Sequence, residues 1–234
     1  VRPFCMTEAE LRFDELPASI PVLPLSGVLL LPRAILPLNI FEPRYRNMTQ
    51  DAMASDRLIG IVQPVDPEEV PVTPNGRVKN LDDERLVLYS TGCVGQISHC
   101  QESPDGRYFI SLVGVCRFRL GDEIDTTRGY RRFNAEWNDF EDDAEKPTVP
   151  IDRERFLPAM RRYFEANQIK VDWSAVNEAE DEGLVSALAM SSPFTPAEKQ
   201  ALLEASDLEQ RCEVLSAIAE MGAHRYNGSP ERLQ

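Results

Sequence analysis

The chain has 234 residues, of which 42% are hydrophobic and 27% are charged, as in an ordinary globular protein. Its formal net charge of −14 offers no basic field for nucleic acid or for an anionic membrane surface, so neither is an expected partner. The five cysteines form no CxxC pair and their number is odd, which argues against a disulfide framework or a zinc site and favours reduced thiols in the cytoplasm.

The start of the chain carries no secretion signal that we can recognise. Residues 1–16 lack a basic start followed by an apolar stretch. The longest apolar stretch, residues 22–31, is interrupted by Pro24, Ser26 and Gly27 and is too short to span a bilayer. We therefore expect a cytoplasmic location without a membrane segment, and Met6 stays open as an alternative start to Val1.

The first part of the chain, residues 18–138, has short β-rich runs separated by proline and glycine. Residues 20–25 contain two prolines, which sheets tolerate only at edges or strand starts, so the pattern predicts an edge strand. A helix is predicted over about residues 43–55 because Pro43 suits its first turn. Its apolar positions recur at helical spacing, at Tyr45, Met48 and Ala52.

Further strands are predicted by apolar or alternating runs at residues 58–62, 86–89, 93–97, 108–113, 115–120 and 130–137. Pro104, Asp105 and Gly106 indicate a hairpin turn, because proline fixes φ and glycine accepts a positive φ. Residues 63–84 contain four prolines and are expected to form a long irregular loop. One early helix among five to seven antiparallel strands indicates a small, partly closed β-barrel.

An acidic segment, residues 139–149, follows and is predicted to be a solvated linker. It lacks the ordered spacing and central glycine of a calcium-binding loop, so calcium binding is disfavoured. Residues 150–224 have helical periodicity and predict an α-helical bundle. Pro158 is expected either to kink the first helix of this bundle or to mark its start.

Two helix starts are specified by local sequence. Thr195 is expected to cap a helix with Glu198 reaching back to it, and Asp207 and Gln210 repeat the arrangement. Gly222 lies where a helix often ends.

Few residues of the chain could carry catalysis. The phosphate-loop, GxGxxG and HExxH motifs are missing from the sequence. His99 beside Cys100 could be a base and its thiol, but adjacent strand residues point to opposite faces, which disfavours the pair. We therefore expect no catalytic residue, no metal ligand, no cofactor and no enzymatic activity.

Binding residues are more plausible around the predicted helix start, at Phe41, Glu42, Arg44 and Tyr45. Two interpretations stay open. In one, these residues contact a ligand; in the other, Glu42 satisfies free N–H groups, Arg44 pairs with an acid, and the two aromatic rings lie in the core. Trp173 is expected to be a packing residue of the helical part. A basic stripe could still bind RNA despite the acidic average, and its members are Arg117, Arg119, Arg128, Arg131 and Arg132.

Several segments carry a family resemblance through their order along the chain. They are PVLPL at 21–25, VLLLP at 28–32, LPLNIFEPRY at 36–45, GCVGQI at 92–97, DGR at 105–107, GVCRF at 114–118, SPF at 192–194 and EKQALLE at 198–204. Together they resemble the N-terminal domain family of the Lon proteases over about residues 18–221.

The resemblance implies an α+β fold in which a PUA-like antiparallel β-barrel with one early helix precedes a C-terminal α-helical bundle. It also implies recognition of protein substrates, while no segment resembles an ATPase or a peptidase. The favoured hypothesis is a non-catalytic module that binds unfolded or specific protein segments, as an adaptor or chaperone-like binder in protein quality control. A small-molecule or RNA-binding PUA-like protein is the alternative. The ligand and the oligomeric state stay open.

Overall fold

The computed structural model describes residues 12–65 and 86–227, and its secondary structure is of the expected α+β class. Two units form. Of the described residues, one unit holds 12–65, 86–146 and 193–203. The other holds 147–192 and 204–227.

The first unit is built on a sheet whose strands, within the described residues, are β1 (Ser19–Pro24), β2 (Ile35–Ile40), β3 (Leu58–Val62), β4 (Thr91–Glu102), β5 (Tyr108–Ile124) and β6 (Arg131–Glu136). Their order is β2-β5-β4-β3-β1-β6, and β6 also pairs with β5. Five strands therefore form a closed series of pairs, and β2 is attached to β5 outside it. Within the part of the chain that the structure describes, no other strand pairs with β2.

The position of β1 corrects the expectation of an edge strand in a wholly antiparallel sheet. β1 is paired on both sides, parallel to β3 and antiparallel to β6. The parallel register begins at Val22, after Pro21, and the antiparallel register ends at Val22, before Pro24. Pro21 thus lies outside the pairing with β3, and Pro24 lies outside the pairing with β6. Because each proline has a neighbour on one side only, an interior strand can contain both residues despite their missing N–H groups.

Strand β5 corrects the expectation of two strands separated at Gly114. It runs unbroken from Tyr108 to Ile124. A Cβ on Gly114 would lie 2.0 Å from the carbonyl oxygen of Leu31. The glycine therefore permits a close backbone approach, in which the Arg33 N–H donates to the Gly114 carbonyl at 2.7 Å.

The other predicted strands and turns are confirmed, with one exception. Residues 86–89 form only an isolated bridge, between Leu88 and Pro64. The hairpin turn is present, with Gly106 at a φ of 78° and its N–H donating to Ser103. Most of the predicted loop, residues 66–84, lies outside the described residues.

Helix α1 (Pro43–Met53) confirms the predicted early helix, with Pro43 in its first turn. Its buried face consists of Tyr45, Met48, Thr49 and Ala52. The core of the sheet is apolar, and its members are Ile20, Val22, Leu58, Val62, Val94, Cys116, Phe118, Phe133, Ala135 and Phe140.

Part of the acidic segment is built into the first unit rather than solvated. Residues 138–144 form a 3-10 helix in which Phe140 and Asp143 are buried. The expectation of a solvated linker is therefore wrong for these two residues. Phe140 joins the sheet core, and Asp143 is buried because it pairs with a buried arginine of β5.

Helix α5 (Pro196–Glu204) belongs to the first unit through residue 203. Polar side chains hold it to the sheet and its loops. Lys199 Nζ donates to the Gly27 carbonyl at 2.8 Å, and Gln200 Nε2 donates to the Thr91 carbonyl at 3.1 Å. Both side chains are buried, and burial lowers the pKa of Lys199.

The second unit contains the helices α2 (Arg153–Ala166), α3 (Trp173–Glu178), α4 (Asp181–Ser191) and α6 (Leu208–Asn227). Pro158 lies inside α2 and does not start it, because the Asp152 side chain already caps the helix at the Arg155 N–H. Trp173 packs its ring 6.4 Å from the ring of Phe164, as expected of a packing residue.

Gly222 does not end a helix, because α6 continues to Asn227. A Cβ on Gly222 would lie 2.7 Å from the ring of Tyr163, so this glycine allows α6 to pack closely on α2. Among the described residues, none of the helices has the length and hydropathy needed to cross a bilayer.

Both predicted helix caps are confirmed. The Glu198 N–H donates to Thr195 Oγ1 at 3.2 Å, and the Thr195 N–H donates to the Glu198 carboxylate at 2.9 Å. The Gln210 N–H donates to Asp207 Oδ1 at 2.8 Å, and Gln210 Oε1 accepts from the N–H of Ser206.

Candidate functional site

Three of the four residues singled out at the helix start form a compact structural cluster. Arg44 donates two hydrogen bonds to Glu42 Oε2, from Nε at 3.0 Å and from Nη2 at 2.5 Å. The same guanidinium lies 4.5 Å from the centre of the Tyr45 ring. Burial raises the pKa of Tyr45, and the nearby charge of Arg44 opposes that shift. Glu42 is the N-cap residue, but its side chain makes no capping hydrogen bond, contrary to the structural interpretation.

Phe41 is not a core residue. The structural interpretation places its ring in the core, yet 60% of its surface is exposed. The reason is strand alternation, which continues one residue beyond β2. Ile40 is 4% exposed and faces inward, while Ile35 is 64% exposed and faces outward with Phe41.

Residues paired across β2, β5 and β4 extend this outward side into a continuous face. Ile35 pairs with Val113, Pro37 with Ser111 and Asn39 with Phe109. On the other flank of β5, Ser111 pairs with His99 and Phe109 pairs with Gln101. Directly paired residues share one face of a sheet. We call this set the outer face: Ile35, Pro37, Asn39, Phe41, His99, Gln101, Phe109, Ser111 and Val113.

The outer face combines five apolar residues with four polar ones and contains no acidic, lysine or arginine side chain. Phe109 is 46% exposed, so three large apolar side chains (Ile35, Phe41 and Phe109) are open to solvent on one surface. None of the nine residues is Asp, Glu, Lys or Arg, although such residues make up 27% of the chain. An open groove of about 290 Å³ crosses this surface, and it is lined by Pro37, Leu38, Asn39, His99, Phe109, Ile110 and Ser111.

The geometry of His99 and Cys100 does not support a catalytic pair. His99 pairs with Ser111 on the outer face, whereas Cys100 pairs with buried Ile110 on the opposite side. Burial raises the pKa of the Cys100 thiol, and the negative charge of Glu102 adds to the effect. A raised pKa disfavours the thiolate that a nucleophile requires.

The basic stripe is not a free cationic surface, because its arginines are bound to acids or backbone. The pairs within the described residues are Arg117–Asp143 at 2.8 Å, Arg119–Asp139 at 2.6 Å, Arg128–Asp51 at 2.9 Å and Arg131–Glu123 at 2.7 Å, while Arg132 donates to the Ser19 carbonyl at 2.9 Å. No group of three or more His, Cys, Asp or Glu side chains arranged to hold a metal ion is found in residues 12–65 and 86–227.

Comparison with known protein families identifies the family to which this architecture belongs. The family model for the substrate-binding domain of the ATP-dependent protease La (LON) matches residues 19–220. The chain belongs to the Lon substrate-binding domain family. The resemblance inferred from the sequence is thereby confirmed, and the family supports a substrate-binding module.

Relatives within the Lon family are distant in sequence. The Lon protease of Flavobacterium johnsoniae is 25% identical over 87% of this chain and 24% of its own length. The Lon protease of Dictyoglomus thermophilum is 27% identical over 88% of this chain and 25% of its own length. The chain therefore spans about a quarter of the length of these curated Lon proteases.

Solved structures of Lon N-terminal domains share the fold. The Lon N-terminal domain protein from Xanthomonas campestris aligns with a TM-score of 0.56 at 20% identity, covering 85% of this chain and 97% of that one. The N-terminal domain of Mycobacterium avium complex Lon protease gives a TM-score of 0.52 at 20% identity, covering 86% and 97%.

Sequence reasoning selected Phe41 but missed its neighbours on the outer face. Ile35 and Phe109 belong to strands that are distant in sequence, and only the β2–β5 register brings them to one surface. A signal was present: Ile35, Pro37, Asn39 and Phe41 alternate with Leu36, Leu38 and Ile40. The alternation was hidden because three of the four outward residues are apolar, like the inward ones.

Proposed function

We propose that this Lon-family domain is a non-catalytic module that binds unfolded or otherwise exposed apolar segments of other proteins through its outer face. The observation that carries the proposal is the exposure of Ile35, Phe41 and Phe109, at 64%, 60% and 46%, on the outer face, whose nine residues include no Asp, Glu, Lys or Arg. Scattered exposed apolar residues are normal in soluble proteins, but several of them together on one surface are typical of an interaction surface.

We infer the biological role of this binding from the family to which the chain belongs. Relatives named Lon protease are about four times longer than this chain. Because the match covers about a quarter of those relatives, we carry over substrate binding alone. A domain that holds apolar segments without degrading them suits an adaptor or a chaperone-like binder in protein quality control. We further propose that the closed series of strands in the first unit is a PUA-like β-barrel.

The cluster at the start of α1 is assigned a supporting role at this surface. Glu42 and Arg44 bind each other, and Arg44 lies against the buried ring of Tyr45. This arrangement fixes the backbone immediately after Phe41 and so holds the exposed ring outward. In this proposal Phe41 contacts the ligand, while Glu42, Arg44 and Tyr45 position it.

The alternative function, RNA binding, has less support. Affinity for RNA depends on cations that are available to phosphates. Four of the five arginines of the basic stripe are paired with carboxylates such as Asp51 and Glu123, and Arg132 donates to a backbone carbonyl. The net charge of −14 acts in the same direction.

A binding titration tests the proposal. Fluorescence anisotropy of a labelled, permanently unfolded carboxymethylated protein should report saturable binding to the wild-type chain. Phe109→Ser should weaken binding about tenfold, because it removes a large apolar contact. Val149→Ser is the matched control, since Val149 is 64% exposed but lies in the second unit. Equal affinities for the two variants would contradict the proposal.

A further inference from the structure

We propose that the outer face recognises its ligand by strand addition, in which an extended segment of another protein pairs with the open edge of β2. This inference rests on the proposed function and deepens it, because it assigns the conformation and the charge of the bound segment. The outer face alone would accept apolar groups of any shape. The neighbouring edge of β2 adds a requirement for an extended backbone.

The hydrogen bonds between β2 and β5 determine which backbone groups are available at that edge. The Gly114 N–H donates to the Ala34 carbonyl at 2.9 Å, next to the pair formed by Ile35 and Val113. Because hydrogen-bonded pairs alternate in an antiparallel ladder, Leu36, Leu38 and Ile40 direct their backbone groups towards β5. The backbone groups of Ile35, Pro37 and Asn39 therefore point away from the sheet.

These three residues present a specific pattern to a partner. Their carbonyl groups are three acceptors, and Ile35 and Asn39 supply two N–H donors on either side of Pro37, which has none. No strand of the described residues uses them. Their side chains belong to the outer face, so one extended segment could pair with the backbone and place alternate side chains on the groove.

The charge distribution indicates which kind of molecule binds at the outer face and the edge of β2. The outer face has no Asp, Glu, Lys or Arg, so a charged side chain bound there would lose hydration without gaining a counter-charge. A second copy of this chain is disfavoured because each copy carries a net charge of −14. Pro37 also disfavours a second copy. If the β2 edges of two copies paired with Pro37 at the centre, neither strand would supply an N–H donor there. The occupant is therefore an extended, uncharged, apolar segment of a different protein.

Selective N-methylation of a peptide tests this mode of binding. The probe is a short uncharged peptide of alternating valine and threonine, labelled at one end and measured by fluorescence anisotropy. One derivative is N-methylated at the odd-numbered amides and the other at the even-numbered amides, so that only one set faces β2. Strand addition predicts that one derivative loses at least about tenfold in affinity while the other binds like the parent peptide. Equal affinities for both derivatives would overturn it.

Two substitutions in β2 provide the complementary test. Asn39→Pro removes an outward N–H while leaving the hydrogen bonds to β5, and Asn39→Ala is its control because it keeps that N–H. The proline variant should bind the unmethylated peptide about fivefold more weakly than the alanine variant. Pro37→Val should bind it about fivefold more tightly, because it adds a central donor. Tighter self-association of Pro37→Val without tighter peptide binding would overturn the choice of occupant.

Failure of this inference can be distinguished from failure of the proposed function. If the unfolded protein binds in a Phe109-dependent manner but the two methylated peptides behave alike, strand addition is wrong and the binding role remains. If neither the unfolded protein nor any peptide binds the wild-type chain, both are wrong.

Discussion

Arg117 of β5 and Asp143 of the 3-10 helix form a buried ion pair in which both carboxylate oxygens contact the guanidinium. Arg117 Nη2 lies 2.8 Å from Asp143 Oδ1, and Nε lies 2.9 Å from Oδ2. The Arg117 backbone N–H also donates to Oδ2 at 2.9 Å, and Nη1 donates to the Leu203 carbonyl of α5 at 3.2 Å. One buried guanidinium thus joins the sheet, the acidic segment and α5.

Removing the acid of this pair should destabilise the chain strongly. Asp143→Asn leaves Arg117 buried without its counter-charge, which costs about 3–5 kcal/mol. The control is Asp139→Asn in the same 3-10 helix, where the pair with Arg119 has side chains that are 48% and 58% exposed and the expected cost is at most about 1 kcal/mol. Urea unfolding of both variants measures the difference. Similar costs would show that the buried pair has no special role.

Two glycine substitutions should have opposite effects on the free energy of unfolding. Gly114→Ala places a Cβ within 2.0 Å of the Leu31 carbonyl oxygen and should destabilise by more than about 2 kcal/mol. Gly183→Ala in α4 meets nothing within 4 Å and should stabilise by about 0.5–1 kcal/mol through helix propensity. Thermal unfolding followed by circular dichroism checks both signs. A neutral Gly114→Ala would disprove the close approach of the two backbones.

The cap at Asp207 should make stability depend on pH. Hydrogen bonds from the Gln210 N–H and from Ser206 lower the pKa of this carboxyl from 3.8. Its contribution is therefore present above about pH 4 and is lost as the pH falls through the lowered pKa. Asp207→Asn keeps an acceptor without titrating, so the wild type should lose stability relative to this variant as the pH falls below about 4. A pH-independent difference in urea unfolding would contradict the assignment.

Cysteine reactivity should follow burial rather than a catalytic role. Burial, with a contribution from Asp143, raises the pKa of Cys116 to about 12, and burial raises that of Cys212 to about 11. Iodoacetamide at about pH 8 should therefore label half-buried Cys100 before either of them, and slowly. Peptide mass spectrometry gives the order, and labelling in urea should make the three alike. Rapid labelling of Cys100 in the folded chain would revive the nucleophile hypothesis.

Local sequence predicted those parts of the fold that depend on neighbouring residues. The Thr195 and Asp207 caps and the start of α1 at Pro43 each rest on contacts within about one helical turn, so their residue types suffice. The family resemblance also survived comparison, because it used the order of many segments.

Features that depend on contacts between residues distant in sequence could not be predicted from local sequence. Asp143 looks like a linker residue until β5 brings Arg117 to it, across 26 positions of sequence. Gly114 looks like a strand end until Leu31 packs against it. Phe41 was a candidate for the core, whereas the alternation of β2, continued one residue beyond the strand, turns it outward.

Photo-crosslinking from position 35 tests the binding role of the outer face most directly. A photoreactive amino acid replaces Ile35 in one variant and Val149 in the other, since both side chains are 64% exposed. Each variant is irradiated with the carboxymethylated unfolded protein, and the adducts are quantified by gel and mass spectrometry. Binding at the outer face predicts abundant adducts from position 35 and few from position 149. Equal yields, or adducts mainly from position 149, would contradict it.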